Sequence, residues 1–600
     1  MTPLRRLSAK EVASAKSEGA AAQPVFESTL AELQQLAASV DGVELMARMA
    51  FSLQARLNSG AEAQGRPGVE VFHIELLHAL FLASPRAIDS QAIDYSEVTQ
   101  RAINLITRHA TAFLDRSSGR ASADPAEDAK LALMDQVQRW TLAVRGPRHL
   151  HQTLGFLNEL SPPTEVAFRR RFGCSLAELV AMVEGIYDLV SSRLTADLAW
   201  RRTWMWNRRS VAGMVEAFCA PLSCVFAEEI RASVLRPGLS RRDVFGRLFN
   251  AAEQRLAGHY TFRFEDIAPR FRTGDQAALR ALLDRLAYAF VDLADVTPER
   301  LHLNNPVRFR PFVRLDDRRY FWPSSVSTGT GLVELVEDLV NTDQPLKKRW
   351  ERAKADWLEA KLKRVVSAGL PHADVRSKVK WTDQAGKEWE SDLVAVLDKT
   401  VLVFEAKSGR ITPPARRGAP DRLKDDLKKL IVDGSEQSER FRDRVLGVDV
   451  PVTFSSAEGP LSLDPLEIRD ITRTTVVFDS LGSLSAHWPQ LVAAGFLPAD
   501  VDIAPTMSIF ELETVFEVLT LDVERCHYLQ RRAEFERNAQ YTADELDLLA
   551  FYLDCQFNVG EAEFDGTPLP LYGASLKLAA GYSERRAAGT LSFPIKRTEL

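Results

Sequence analysis

The sequence predicts a multidomain α+β protein. A large all-α N-terminal region leads into a strand-rich block bracketed by helices, and a mainly helical C-terminal region follows. Three observations predict it. Apolar residues recur at helical spacing from about Val25 to about Arg300, as in VFHIELLHALFL (71–82), LAELVAMVEGIYDLVSSRL (176–194) and DQAALRALLDRLAYAFVDLA (275–294). The texture changes near residue 305, where aromatic, strand-like arms flank a polar tip. From Val375 to about Phe404, strand-like runs dominate. The 600 residues leave room for roughly four domains of about 150 residues each.

Taken in order, residues 1–24 are rich in Ala, Ser and Lys, carry few large apolar groups and are expected to form a flexible tail. Residues 25–304 are expected to form helical domains. They are broken at Arg145-Gly146-Pro147 and Ser161-Pro162-Pro163, with an exposed loop over 118–128. No fixed-period repeat is present. Residues 305–344 should form a β-hairpin around Asp316-Asp317 and a connecting helix over about 330–341. Within 345–480, a helix should run from Pro345, suited to a first helical turn, to about Ser367, where Gly369 and Pro371 stop it. Strands follow to Phe404. Then come a breaker-rich loop (411–420), a charged helix (421–445) and further strand pieces in VDVPVTF and TRTTVVFDSL. Residues 481–600 read as mainly helical, most clearly in FELETVFEVLTLDVERCHYL.

Composition narrows the function classes. Hydrophobic residues make up 46% and charged residues 26% of the chain, and the net charge is −6. There is no global positive field to hold DNA or an anionic membrane, so nucleic-acid contact must come from local basic patches. The five cysteines include no Cys-x-x-Cys pair and suit reduced thiols in a cytoplasmic protein. The N-terminus has no apolar core of a secretion signal, and no run approaches the ~18 apolar residues of a membrane span. No phosphate-binding Gly-x-x-x-x-Gly-Lys-Ser/Thr loop is present, so any unwinding would need a separate helicase or ATPase partner.

The chemistry concentrates in Glu390–Gly409, ESDLVAVLDKTVLVFEAKSG. Two β-branched arms flank Asp398-Lys399, which reads as a hairpin. A two-residue turn there sets Asp392 opposite Glu405 and Glu390 opposite Lys407. Asp392, Glu405 and Lys407 then share one face. Val394, Val396, Val401 and Val403 line that face, while Leu393, Leu397, Leu402 and Phe404 line the other. This is a central strand pair covered on both sides. Carboxylates directly across a ladder repel, and burial sharpens the repulsion. A shared proton would relieve it, and a divalent cation relieves it better at neutral pH. Metal-bound water can attack phosphorus, and Lys407 stands ready to orient that water or to pair with a phosphate oxygen.

This pattern of an acid, a short hairpin and then Glu405-Ala406-Lys407 resembles the PD-(D/E)xK, or restriction-endonuclease-like, phosphodiesterase superfamily. It is nearest in style to the nuclease-related-domain and RecB-like branches. The resemblance covers roughly residues 345–480. It implies an αβββαβ core and Mg²⁺-dependent hydrolysis of DNA phosphodiesters, with Mn²⁺ as a substitute ion and RNA as an alternative substrate. It implies Asp392 and Glu405 as metal ligands together with the Ala406 carbonyl, and Lys407 as the catalytic base or water-positioning group. Glu359, in WLEAKLKRVV, is implied as a supporting acid. Gln437, in Gln437-Ser-Glu-Arg-Phe441, is implied as a supporting amide, with Phe441 where the family pattern has Tyr. Defence against foreign DNA and DNA repair are the roles it suggests.

Arg410, Arg416, Arg417 and Lys424 follow the motif and are candidate contacts to the nucleic-acid backbone. The alternatives are a non-catalytic nucleic-acid-binding or scaffolding protein that retains the fold, and a helical signalling protein with an incidental salt-bridge ladder. Trp200 and Trp204 lie at core spacing rather than forming a stacking platform, and His73 and His78 are too far apart around a helix to share a metal.

Overall fold

The computed structural model describes residues 8–58, 68–87, 95–143, 148–206, 210–236, 238–324, 328–383, 385–486 and 488–569, and scattered positions from 571 to 595. The expected break at Arg145-Gly146-Pro147 lies outside these. The chain is α+β, and its N-terminal region is largely helical. It forms two compact units, neither continuous in sequence. One comprises Met1–Ala20, Ser117–Pro163 and Lys347–Leu600, and the other Ala21–Arg116 and Thr164–Leu346. No helix among the described residues is long and apolar enough to cross a membrane.

The first unit is built on a five-stranded sheet. Its strands are β1 (Asp374–Thr382), β2 (Glu388–Leu397), β3 (Thr400–Lys407), β4 (Asp470–Val477) and β5 (Thr506–Ser508). Their spatial order is β5-β4-β3-β2-β1. β1, β2 and β3 form an antiparallel meander, and β4 lies parallel to β3 and to β5. The β2–β3 turn is the expected two-residue one. Leu397 pairs with Thr400 and Val394 with Val403, and Asp398 takes a positive φ of 50°. Alternation then buries both faces, as expected of a central pair. Val394, Val401 and Val403 pack with Phe441 and Val445, whereas Leu393, Ala395, Leu402 and Phe404 are buried on the opposite face.

Helix α1 (Gln344–Gly369) precedes the sheet, with Pro345 in its first turn as expected. Its Trp357 ring stands 4.8 Å from Phe156 and 6.0 Å from Phe478, just past β4. The charged segment after β3 is helical over Pro420–Leu427, passes through a π turn at Lys428–Val432, and continues as α2 (Asp433–Leu446). A further helix, α3, spans Asp522–Asn538.

Gly434 lets α2 lie close against β4. A Cβ there would stand 2.7 Å from Thr475 Cγ2 and Oγ1. Overpacking of this kind costs about 1–3 kcal/mol. Gly434→Ala is therefore expected to lower the free energy of unfolding by that amount, seen as a lower urea midpoint with an unchanged m-value.

The second unit carries a small four-stranded sheet in the order Thr261–Arg263, Arg319–Phe321, Phe312–Arg314, Ala287–Tyr288. The hairpin around Asp316 forms as expected, its turn held by Asp316 Oδ1 accepting from the Arg318 and Arg319 N–H groups at 2.9 and 2.8 Å. Trp204 is fully buried, and its ring lies 5.3 Å from Phe218, so it is a core residue.

Several expectations fail. Residues 9–24 are not a tail but belong to a helix, Ala9–Ser39. Its buried positions Val12, Gly19, Ala22 and Phe26 recur every three to seven residues, and mostly small side chains hid the stripe. The helix Leu150–Phe172 runs through Pro162 and Pro163. The 118–128 segment is a 3-10 turn followed by the start of a helix at Pro125. One helical turn, Pro413–Arg416, forms inside the expected 411–420 loop, because two prolines suit its first positions. Region 25–304 is not all-α, since strands of three and two residues in it join the hairpin's sheet. Such strands are too short to show alternation. The large sheet also does not end at residue 480, because β5 completes it.

Candidate active site

The β2–β3 pairing ends at Leu393 and Phe404. One step further stand Asp392 and Glu405, the opposition that the two-residue turn dictates. The ladder ends there because Asp392 Oδ2 accepts the Ala406 N–H at 2.7 Å. The Ala406 carbonyl lies on the same edge of β3 as its N–H, toward β2.

Glu405 is 1% exposed, and its buried Oε1 has no hydrogen-bond partner. Burial first, and then the Asp392 charge, push the Glu405 carboxyl well above the usual carboxylate range. Burial also raises Asp392, against the Ala406 N–H and the Lys407 charge, which lower it. The two carboxyls meet within hydrogen-bonding reach. At neutral pH the pair calls for either a retained proton or a cation.

Lys407, on the same face, donates from Nζ to Gln437 Oε1 of α2. The same helix anchors in the core one turn later through Phe441. The Phe441 ring lies 5.6 Å from Trp381 and 5.0 Å from Phe454, so Phe441 is a packing residue and not part of the site. Glu390 turns away from Lys407 and pairs with Lys380 Nζ at 3.0 Å. A Glu390–Lys407 rung, which a simple salt-bridge ladder would need, is therefore replaced by Lys380–Glu390 and Lys407–Gln437.

Glu359, on α1, is raised by burial and then by the Asp392 charge, which places it beside the pair. Its Oε2 lies 3.9 Å from Lys378 Nζ. Lys378 went unrecognised in the sequence. It sits where β1 should pair with Asp392, but the register passes from Ser377–Leu393 to Val379–Ser391 and skips it. Its φ is 53°, a left-handed conformation costing a lysine about 1–2 kcal/mol. Only pairing between β1 and β2 reveals this irregularity, and no local signal announced it.

The structure thus gathers Asp392, Glu405, Ala406, Lys407, Gln437 and Glu359 about one end of the β2–β3 pair. The candidate backbone contacts divide. Arg417 and Lys424 are exposed. Arg410 and Arg416 are half-buried and face Asp479, which with Arg148 and Lys354 they hold below the usual carboxylate range. Arg416 also lies over the Trp140 ring at 5.6 Å.

The donor set suits magnesium. Mg²⁺ takes one or two carboxylates and keeps several waters, and a buried carboxylate oxygen without a partner is a ready ligand. Among the described residues, no group of three or more His, Cys, Asp or Glu side chains is placed to hold a metal ion, so the candidate donors are two carboxylates and a backbone carbonyl. No family model, curated protein or solved structure matches the chain.

Proposed function

We propose that the chain is a metal-dependent nuclease that hydrolyses DNA phosphodiester bonds, with Asp392, Glu405 and the Ala406 carbonyl as ligands of Mg²⁺ or Mn²⁺. The observation that carries this reading is the pair of facing carboxyls, one fully buried with an unpartnered oxygen, beside an amine held by an amide. The order of elements supports it: a helix, three antiparallel strands, a helix, and a strand parallel to the third follows the αβββαβ plan of the PD-(D/E)xK superfamily.

The ion would supply an activated water and neutralise charge on the phosphate. Gln437 holds the Lys407 amine in place, so that the amine can orient the attacking water by donating to it or pair with a non-bridging oxygen. Glu359 stands beside Asp392 and can accept a hydrogen bond from a water there. Arg417 and Lys424, exposed after the motif, are suited to phosphates flanking the cleaved bond. Defence against foreign DNA and repair are the settings proposed, with a separate helicase or ATPase as partner where a duplex must be opened.

The test incubates the full chain with linear and circular, single- and double-stranded DNA in Mg²⁺, Mn²⁺ or EDTA. Cleavage in Mg²⁺ or Mn²⁺ that stops in EDTA and in Asp392→Ala is the expected result. Binding of DNA without cleavage in either ion would instead assign the chain to non-catalytic nucleic-acid binding.

A further inference from the structure

A second feature lies at the other end of the sheet. Asp470, which opens β4, pairs with Thr400 at the hairpin-turn end of β3. Lys407 is seven residues further along the same ladder, roughly 23 Å away at about 3.3 Å per residue. A cavity of about 530 Å³ opens there, lined by the start of β4, the end of α2, one face of α3 and the segment before β5. That volume is typical of a small-molecule site.

Three guanidinium groups converge on one carboxylate in its wall. Asp502 receives Arg442 at 2.6 Å, Arg473 at 2.7 Å and Arg537 at 3.1 Å. Arg473 is 5% exposed and is fixed further by donating to the Ser435 and Asp502 carbonyls at 3.1 and 2.8 Å. Arg442 shares its charge with Glu439 and Asp443, at 2.8 and 3.2 Å. Arg469, also lining the cavity, is exposed, and its side chain has no ion-pair or hydrogen-bond partner among the described residues. Leu446, Ile468 and Ile471 supply the apolar part of the lining.

The lining sets four arginines against Asp470, Asp502 and Glu534, and Arg469 is the one arginine of the four with no carboxylate partner among the described residues. Planar guanidinium forks match phosphate oxygens better than any other side chain does. We propose that this cavity binds a small phosphorylated organic molecule. Its phosphate is held by Arg469, Arg537 and Arg442, and its apolar or planar body lies on Ile468 and Ile471. A half-open cleft of this volume is of the size that takes a small molecule. The proposal does not rest on the nuclease reading, because the cavity shares no residue with the carboxylate pair.

The test titrates orthophosphate, adenosine 5′-monophosphate and a short single-stranded oligonucleotide into the full chain by calorimetry. The same titrations are run on Arg469→Ala/Arg537→Ala, whose replaced side chains are exposed, and on Asp502→Asn. Binding of orthophosphate or the monophosphate to the wild type is expected. It should weaken at least about tenfold in the double variant, the worth of one charge-assisted hydrogen bond. It should tighten in Asp502→Asn, which removes the internal competitor. Unfolding profiles without ligand confirm that the variants are folded. Equal binding in wild type and double variant overturns the proposal, as does no binding of either phosphate at millimolar concentration. Arginine-dependent binding of the oligonucleotide alone overturns it in favour of nucleic acid.

Discussion

Lys407→Ala is expected to lower the rate of DNA cleavage about a thousandfold while leaving DNA binding and metal binding in place. General acid–base or water-positioning groups contribute about 10²–10⁴-fold, and this amine stands on the face shared by both carboxyls, held there by Gln437. Removing it does not unseat the metal ligands, because Asp392 is fixed by the Ala406 N–H and Glu405 by its place on β3. Single-turnover cleavage measures the loss, fluorescence anisotropy with labelled DNA measures binding, and a Mg²⁺-induced shift in melting temperature measures the ion. Gln437→Ala should fall between wild type and Lys407→Ala, since it loosens the amine without removing it. Cleavage unchanged in Lys407→Ala would refute the assignment of this site.

The second large effect couples metal to pH. Both carboxyls are raised in the folded chain, Glu405 most, by burial and by each other. The folded chain therefore holds protons that the unfolded chain releases above about pH 4. Stability from this pair is fully present below the unfolded values and is lost as pH rises through the folded ones. Without metal, the chain is expected to melt at lower temperature at pH 8 than at pH 6. Mg²⁺ should reverse this at pH 8, by about 2.7 kcal/mol when the free ion exceeds its Kd a hundredfold. At pH 5 protons compete for the same oxygens, and the Mg²⁺ effect should shrink. Glu405→Gln should remove both the metal response and much of the pH slope, and should be more stable than the wild type in EDTA at pH 8. A pH slope and Mg²⁺ shift that survive in Glu405→Gln would show that the pair neither shares a proton nor binds the ion.

Much of this site was legible because its geometry is local. Eight residues of each arm and a two-residue turn are enough to set Asp392 across from Glu405, and apolar groups on both faces mark the pair as central. Lys378 was not legible, because its left-handed backbone arises only when β1 docks on β2. The partner of Lys407 was open to the same limit: the residue directly across the ladder, Glu390, is claimed by Lys380 from the next strand. Gln437 came to attention only through resemblance to a known family. The arginine cavity left no trace in the sequence, since Arg442 and Asp502 are sixty residues apart. The helix Ala9–Ser39 escaped because alanine and glycine fill much of its buried stripe, and hydrophobic pattern weighs size as well as period.

The interleaving of segments has a consequence for the chain's biogenesis. The ribosome delivers 117–163 long before the helix α1 that Phe156 packs with, so Phe156 waits about two hundred residues for Trp350 and Trp357. Contacts of such sequence separation form slowly and leave sticky aromatic surface bare in the meantime. A fragment beginning at residue 345 would keep that surface bare for good. It should aggregate on expression, and it should be rescued by co-producing the 117–163 segment in trans.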